Sequence, residues 1–208
     1  MRLAVDGIAF SYGSTSVLDG TSFILEAGEH ALLLGPSGSG KSSLLNIICG
    51  LQTPQQGSVT LDGQTMNDTL RKTHMGVVFQ TLRLVSALSV KGNLLLAQKL
   101  SSGAHDELRV EAMLDRLGIA HRTHARPHEL SQGEAQRAAI ARALVISPSL
   151  LIADEPTSAL DKDNTANVAN LLIEAAKDAG ASLLIATHDD RLTAHFERTL
   201  RLADGKVV

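Results

Sequence analysis

The stretch Ala31-Leu-Leu-Leu34-Gly35-Pro-Ser-Gly-Ser-Gly40-Lys41-Ser42-Ser43 decides how the rest of the chain is read. Its first four residues are a short apolar run, the pattern of a buried strand. The run meets a glycine-rich loop, and Ser42 to Cys49 then reads as a helix stopped by Gly50. Gly35 to Ser42 matches G-x-x-x-x-G-K-[ST] in the strand–loop–helix context that gives that pattern its meaning. Glycines let the backbone wrap a phosphate without Cβ clashes. The loop N–H groups and the helix N-terminus face anionic oxygens. Lys41 is the side chain to reach the β- and γ-phosphates, and the Ser42 hydroxyl is the one to bind Mg²⁺.

Working outward, the chain alternates strands and helices at both ends. Leu3 to Tyr12 and Ser22 to Leu25 alternate apolar and polar residues, and Ser58 to Leu61 and Met75 to Phe79 read as further strands. The middle changes character: Val90 to Leu100, Glu107 to Leu117 and Glu134 to Ile146 have helical spacing, interrupted by the polar His121 to Pro127. Alternation then returns with the apolar runs Leu150 to Ala153 and Leu183 to Ala186, a helix from about Asn164 to Ala179, and a hairpin turning at Asp204-Gly205. The expected fold is α/β: a P-loop core with a β subdomain over 1–85 and 146–208, and a helical insert over about 86–145, in one 208-residue domain.

Three strand ends carry polar residues to the expected P-loop edge. Leu150 to Ala153 delivers Asp154 and Glu155, where ligands bind in α/β sheets. Asp154 is placed to hold Mg²⁺ through water, and Glu155 to polarise an attacking water. Gln80 follows one strand and His188 another; a Gln carbonyl can ligate Mg²⁺, and a His can bond a γ-phosphate oxygen. Read singly, Gln80 is better taken as a surface loop residue and His188 as a polar residue at a helix start.

Leu130-Ser-Gln-Gly-Glu134 opens the third helix of the middle segment. Ser131 and Glu134 have the spacing of a capping box. The same hydroxyl, the Gly133 N–H and the helix N-terminus also make an anion site. One small chain thus carries two helix starts of phosphate-binding grade.

Composition bounds the rest. With 44% hydrophobic and 20% charged residues the chain can build a core and is not of disordered type. A net charge of -3 argues against a nucleic-acid footprint. No apolar run approaches the ~18 residues that span a bilayer, and Met1 to Phe10 lacks a signal-peptide core. The single Cys49 excludes an internal disulfide. His121, His124 and His128 invite a metal reading, but Pro127 breaks the helix that would align them.

Together, Gly35–Ser42, Gln80, Leu130–Glu134, Leu150–Glu155, Ser158-Ala-Leu-Asp161 and His188, in that order, resemble the ATP-binding subunit of ABC transporters over essentially the whole chain. The resemblance implies an ATPase with ATP and Mg²⁺ as cofactors. It implies a nucleotide site of Tyr12 stacked on adenine, Gly35, Pro36, Ser37, Gly38, Ser39, Gly40, Lys41, Ser42, Ser43 and Gln80, with Glu155 and His188 catalytic and Ser42, Gln80 and Asp154 at the metal. It implies a homodimer packed head to tail, in which Ser131 and Gly133 bind the partner copy's ATP and Ser158 to Asp161 lies at the interface. A transmembrane permease is the expected partner, received by the helical insert and Thr81 to Leu88, with the chain peripheral at the cytoplasmic face of the membrane. Gln132 stands where the family more often has Gly. Ala153–Thr157, Thr187–Asp190 and Arg198–Gly205 resemble the lipoprotein-release, macrolide-efflux and haem-export branch, pointing to export or mechanical work. An importer ATPase, or one gating a membrane complex that moves no solute, is the alternative. Chromosome-type relatives would need sustained heptads in the insert, and ribosome-type ones two ATPase units; neither is present in this sequence.

Overall fold

The computed structural model describes residues 1–157 and 162–208, with 162–164 by backbone alone. Two sheets form its frame. The first is antiparallel: β1 (Leu3–Tyr12), β2 (Thr15–Leu25), β4 (Gln56–Leu61) and β5 (Gln64–Thr65) lie in the order β2-β1-β4-β5. The second holds β3 (His30–Leu34), β6 (Met75–Val78), β7 (Leu150–Asp154), β8 (Ser182–Thr187) and β9 (Arg198–Ala203), with β10 (Lys206–Val207) antiparallel on its edge. Its order is β10-β9-β3-β8-β7-β6, and β9 through β6 run parallel.

Parallel strands are covered on both faces, which is why they read as unbroken apolar runs. Alternate residues nonetheless enter different cores. Leu32 and Leu34 of β3, Leu151 and Ala153 of β7, and Leu183 and Ile185 of β8 face one cluster. Ala31 and Leu33, Leu150 and Ile152, and Leu184 and Ala186 face the other. The first cluster is closed by helices α3 (Val90–Ser102), α4 (Glu107–Arg116), α5 (Gln132–Leu144) and α6 (Lys162–Ala179). The second is closed by α1 (Lys41–Ile48) and the antiparallel sheet. Helix α5 lies directly on β6 because Gly76 has no side chain: a Cβ there would stand 2.4 Å from the Ala143 carbonyl oxygen.

The structure departs from the sequence expectations in definable places. Strand β2 begins at Thr15, well before Ser22, because it pairs back on β1 from Tyr12↔Thr15 onward; Asp19-Gly20 interrupts the alternation that would have marked it. Helix α2 (Asp68–His74) was not anticipated: Asn67 caps it by accepting from the Leu70 N–H, but Leu70 is its one buried residue, too little to make a period. Helix α5 starts at Gln132, two residues before the expected Glu134, and ends at Leu144. The polar His121 to Pro127 segment starts within one 3-10 turn, Ala120–Arg122, and ends at the first residue of another, Pro127–Glu129. Cys49 is buried, and burial pushes its thiol up to about 12, so it stays protonated. Among the described residues no helix is long and apolar enough to cross a membrane.

Candidate nucleotide site

Because β3, β6, β7 and β8 are parallel, their C-terminal ends gather at one edge, and a cleft of about 450 Å³ opens there. Ser37, Gly38, Gly40, Lys41, Ser42 and Ser43 line it from the loop and the first turn of α1. Gln80, Glu155 and His188 line it from the ends of three other strands, and Tyr12 from β1. Two glycines set the loop's shape. Gly40 sits at φ +100, and a Cβ on it would meet Val17 at 2.9 Å. A Cβ on Gly35 would stand 2.6 Å from the Leu202 carbonyl oxygen. Gly40 caps α1 with no side-chain bond and no acid follows in the first turn, so the helix N–H groups have no internal acceptor there.

The charged residues already hold one another. Lys41 is buried and donates to the carbonyls of Gly35 at 2.8 Å and Pro36 at 3.1 Å. Its Nζ is also 3.4 Å from Glu155 Oε1. Glu155 is 8% exposed, sits at φ +47, and anchors its own N–H on the Ala186 carbonyl at 2.8 Å. That left-handed backbone is costly for a side-chain-bearing residue and is the kind of strain that collects at working sites. Thr187 Oγ1 donates to Glu155 Oε2 at 3.2 Å, and His188 Nδ1 lies 2.9 Å from the same oxygen. Ser42 Oγ donates to Asp154 Oδ1 at 3.3 Å. Burial raises the Asp154 carboxyl above its usual value; the Ser42 bond opposes the shift and the neighbouring Glu155 charge adds to it. Ser39 Oγ, within the loop, is buried with no hydrogen-bond partner among the described residues.

Tyr12 is 56% exposed at the cleft mouth, braced edge-on by Phe10 at 4.9 Å and by Gln52, whose Nε2 lies 3.2 Å from its hydroxyl. Bonds from Ser43 and then Gln52 lower its phenol below the usual value. Sequence reading missed three contributors: Val17, Gln52 and Thr187. Only Thr187 left a signal, as the residue just before His188 at the end of β8.

Ser131 and Gly133 do not line this cleft. Ser131 caps α5 through a full capping box: its Oγ accepts from the Glu134 N–H at 3.4 Å, and Glu134 Oε2 accepts from the Ser131 N–H at 2.8 Å. Arg122 at 2.6 Å and His121 at 3.1 Å close on Glu134 Oε1. Arg122 first, then Ser131, hold the Glu134 carboxyl down at about 2. His121 is thereby engaged with Glu134, and among the described residues no cluster of three or more His, Cys, Asp or Glu side chains has metal-site spacing. Ser158 to Asp161 lies outside the described residues.

A second concavity of about 360 Å³ adjoins the Gln80 corner. Phe79, Arg83 and Val85 line it from the segment around Gln80, Leu100 from α3, Arg142 from α5, and Leu51 from beyond α1. Val85, Leu51 and Leu100 are 41, 47 and 62% exposed.

A parallel sheet with a glycine loop, a buried lysine and strand-end acids at one edge defines a P-loop ATPase fold. Comparison narrows this to one family. The ABC transporter family model matches residues 18–158. An uncharacterized ABC transporter ATP-binding protein of Mycobacterium tuberculosis is 40% identical over 96% of this chain and 85% of its own length. The lipoprotein-releasing system ATP-binding protein LolD of Psychrobacter arcticus is 42% identical over 92% of this chain and 89% of its own. Among solved structures, a dimeric post-hydrolysis state of an ATP-binding cassette bound to ADP and Pi superposes with a TM-score of 0.88 at 31% identity, covering 99% of this chain and 96% of that one. The chain belongs to the ABC transporter family and has its ATPase fold; it is an ATP-hydrolysing member.

Proposed function

We propose that the chain is the motor subunit of a membrane complex of the lipoprotein-release type. Two copies close on ATP, and the closure is delivered to a permease for export or mechanical work. The observation that carries this reading is the placement of one short segment in two cavities: Gln80 lines the ATP cleft, while Phe79, Arg83 and Val85 line the exposed apolar groove. An apolar groove of that kind on a protein surface marks an interaction site. Its walls come from the sheet and from α3 and α5, within the 86–145 segment assigned to the helical insert. LolD relatives, named for a lipoprotein-releasing system, support the branch.

In the ATP cleft, Lys41 exchanges the Gly35 and Pro36 carbonyls and Glu155 for phosphate oxygens. That exchange frees the Glu155 carboxylate to polarise water. His188, resting on Glu155, holds the γ-phosphate side, and Tyr12 offers its ring to adenine. Ser42, Asp154 and Gln80 are an all-oxygen donor set suited to Mg²⁺, and the Ser42–Asp154 bond already brings two of them together. These residues would hold Mg²⁺, which would supply neutralisation of phosphate charge. Ser131 and Gly133, outside their own chain's cleft, serve the ATP of the second copy.

Cell fractionation tests the membrane role. The chain is expected in the membrane fraction when its permease is produced with it and in the supernatant when the permease is deleted. Membrane retention in the deletion strain would overturn it.

A further inference from the structure

Strand β8 lies between β3, which leads to the glycine loop, and β7, which leads to Asp154 and Glu155. Its last residue, Thr187, is fully buried and pairs with Leu34 in the ladder. Three parts of the ATP site are tied to it. Its carbonyl accepts from the N–H of Gly35, the first residue of the loop, at 3.2 Å. Its hydroxyl accepts from the Asp189 N–H at 3.1 Å, closing the turn that carries His188. The same hydroxyl donates to Glu155 Oε2 at 3.2 Å. Both directions are fixed, because a backbone N–H can only donate and an ionised carboxylate can only accept.

Glu155 has three side-chain partners among the described residues. Lys41 Nζ stands 3.4 Å from Oε1, and His188 Nδ1 and Thr187 Oγ1 both reach Oε2. The first two have another task. In the exchange proposed for ATP binding, Lys41 moves to phosphate oxygens and His188 serves the γ-phosphate. His188 is exposed and has room to turn. Thr187 is enclosed, and the Asp189 N–H holds its hydroxyl in place. A carboxylate that has lost two of three partners turns easily, since the last torsion of a Glu side chain has broad wells. Misplacing a reacting group by about 1 Å can cost about a hundredfold in rate.

We propose that Thr187 is the positioning residue of the general base. With ATP in the cleft, its hydroxyl is the side-chain partner that stays and keeps the Glu155 carboxylate aimed at the attacking water. The proposal rests on Glu155 as the base and adds what holds it once Lys41 and His188 have left. Because the same residue anchors Gly35, the base and the phosphate loop are set from one point on β8.

The test compares Thr187→Val, which keeps the shape and removes the hydroxyl, with Thr187→Ser, which keeps the hydroxyl. Steady-state ATP hydrolysis is measured on the full chain. Thr187→Val should lose kcat roughly ten- to hundredfold, the scale of one hydrogen bond to a charged group, with KM for ATP close to the parent's. Thr187→Ser should recover most of that loss. Thr187→Ala takes the place of Thr187→Val if the latter fails to fold, as judged by thermal melting. In a Glu155→Gln background, adding Thr187→Val should leave ATP affinity intact by calorimetry, because Gly35 is held by the Thr187 carbonyl, which the substitution keeps. A kcat within about twofold of the parent's in the hydroxyl-free variant, while Glu155→Gln stays slow, overturns the positioning role and leaves Glu155 as the base. Loss of ATP affinity in the Glu155→Gln background overturns it in favour of a structural turn at Asp189. A loss of kcat that Thr187→Ser does not recover assigns the effect to packing and overturns it as well. Normal turnover by Glu155→Gln overturns the base and its positioning together.

Discussion

Helices α1 and α5 both begin with a small-residue turn, yet their N-termini are finished in opposite ways. Helix α1 has Gly40 as its cap, no side-chain acceptor and no acid in its first turn. Its orphan donors face a cleft that also holds Lys41. Helix α5 is closed by Ser131 and Glu134, and Glu134 is clamped in turn by Arg122. One start is left open to an anion; the other is satisfied internally and carries a carboxylate of its own. A helix start with its donors already used gains less from phosphate. The comparison teaches that α5 can serve ATP only if the phosphate arrives on another molecule and replaces Glu134 as the partner of the Ser131 hydroxyl. Arg122 then keeps Glu134 paired, so the exchange leaves no bare charge behind.

The comparison is broken most severely at α1. Lys41→Ala should abolish nucleotide binding, whereas Glu155→Gln should keep binding and cut turnover by roughly 10²–10⁴, the range for losing a general base; calorimetry and phosphate release separate the two. Normal hydrolysis by Glu155→Gln would remove Glu155 from the role.

The α5 end is tested by mixing. Lys41→Ala has a broken P-loop and an intact α5 start; Ser131→Arg has the reverse. In a Glu155→Gln background neither should dimerise with ATP alone, and the mixture should, by light scattering, because a mixed pair holds one site with both halves intact. ATP-driven dimers of Ser131→Arg alone would return α5 to the role of a capped helix.

A smaller effect is expected at the cleft mouth. Tyr12→Ala should weaken ATP binding roughly tenfold, as loss of one base–aromatic stack does, and Tyr12→Phe should not, by equilibrium titration.

The smallest effect follows acid. Glu134 is held down to about 2 from an unfolded value of 4.5, so its contribution to stability is present above pH 4.5 and is lost as pH falls through about 2. The melting-temperature gap between the parent and Glu134→Gln should therefore narrow across that window. A constant gap would mean the Arg122–Glu134 clamp does not stabilise α5.

Much of the site was legible because parallel strands put chemistry at their ends. Gln80, Glu155 and His188 each follow an apolar run, and the sheet brings all three to one cleft. What was not legible has a common cause. Lys41 folding back on the Gly35 and Pro36 carbonyls, Gln52 bracing Tyr12 and Thr187 meeting Glu155 are contacts made by polar side chains, and they leave no periodicity. Arg83 and Arg142 lie 59 residues apart, and nothing local announces that they meet. Helix α2 and the first half of β2 were hidden for the opposite reason: their pairing and caps form them with little buried apolar surface of their own.

The bare backbone contact at Gly76 has a mechanical consequence. With no side chain between β6 and the Ala143 carbonyl, there is no compressible layer to absorb sliding between that strand and α5. The strand leads to Gln80 at one end, and the helix is capped by Ser131. On the proposal that Ser131 serves a second copy, the two would behave as one stiff crank, with a handle in the chain's own cleft and a tip at Ser131. Nucleotide binding at the handle would then swing the tip, and a tip seated on the second copy's nucleotide would turn the handle. Two such cranks, facing each other as proposed, would move in step.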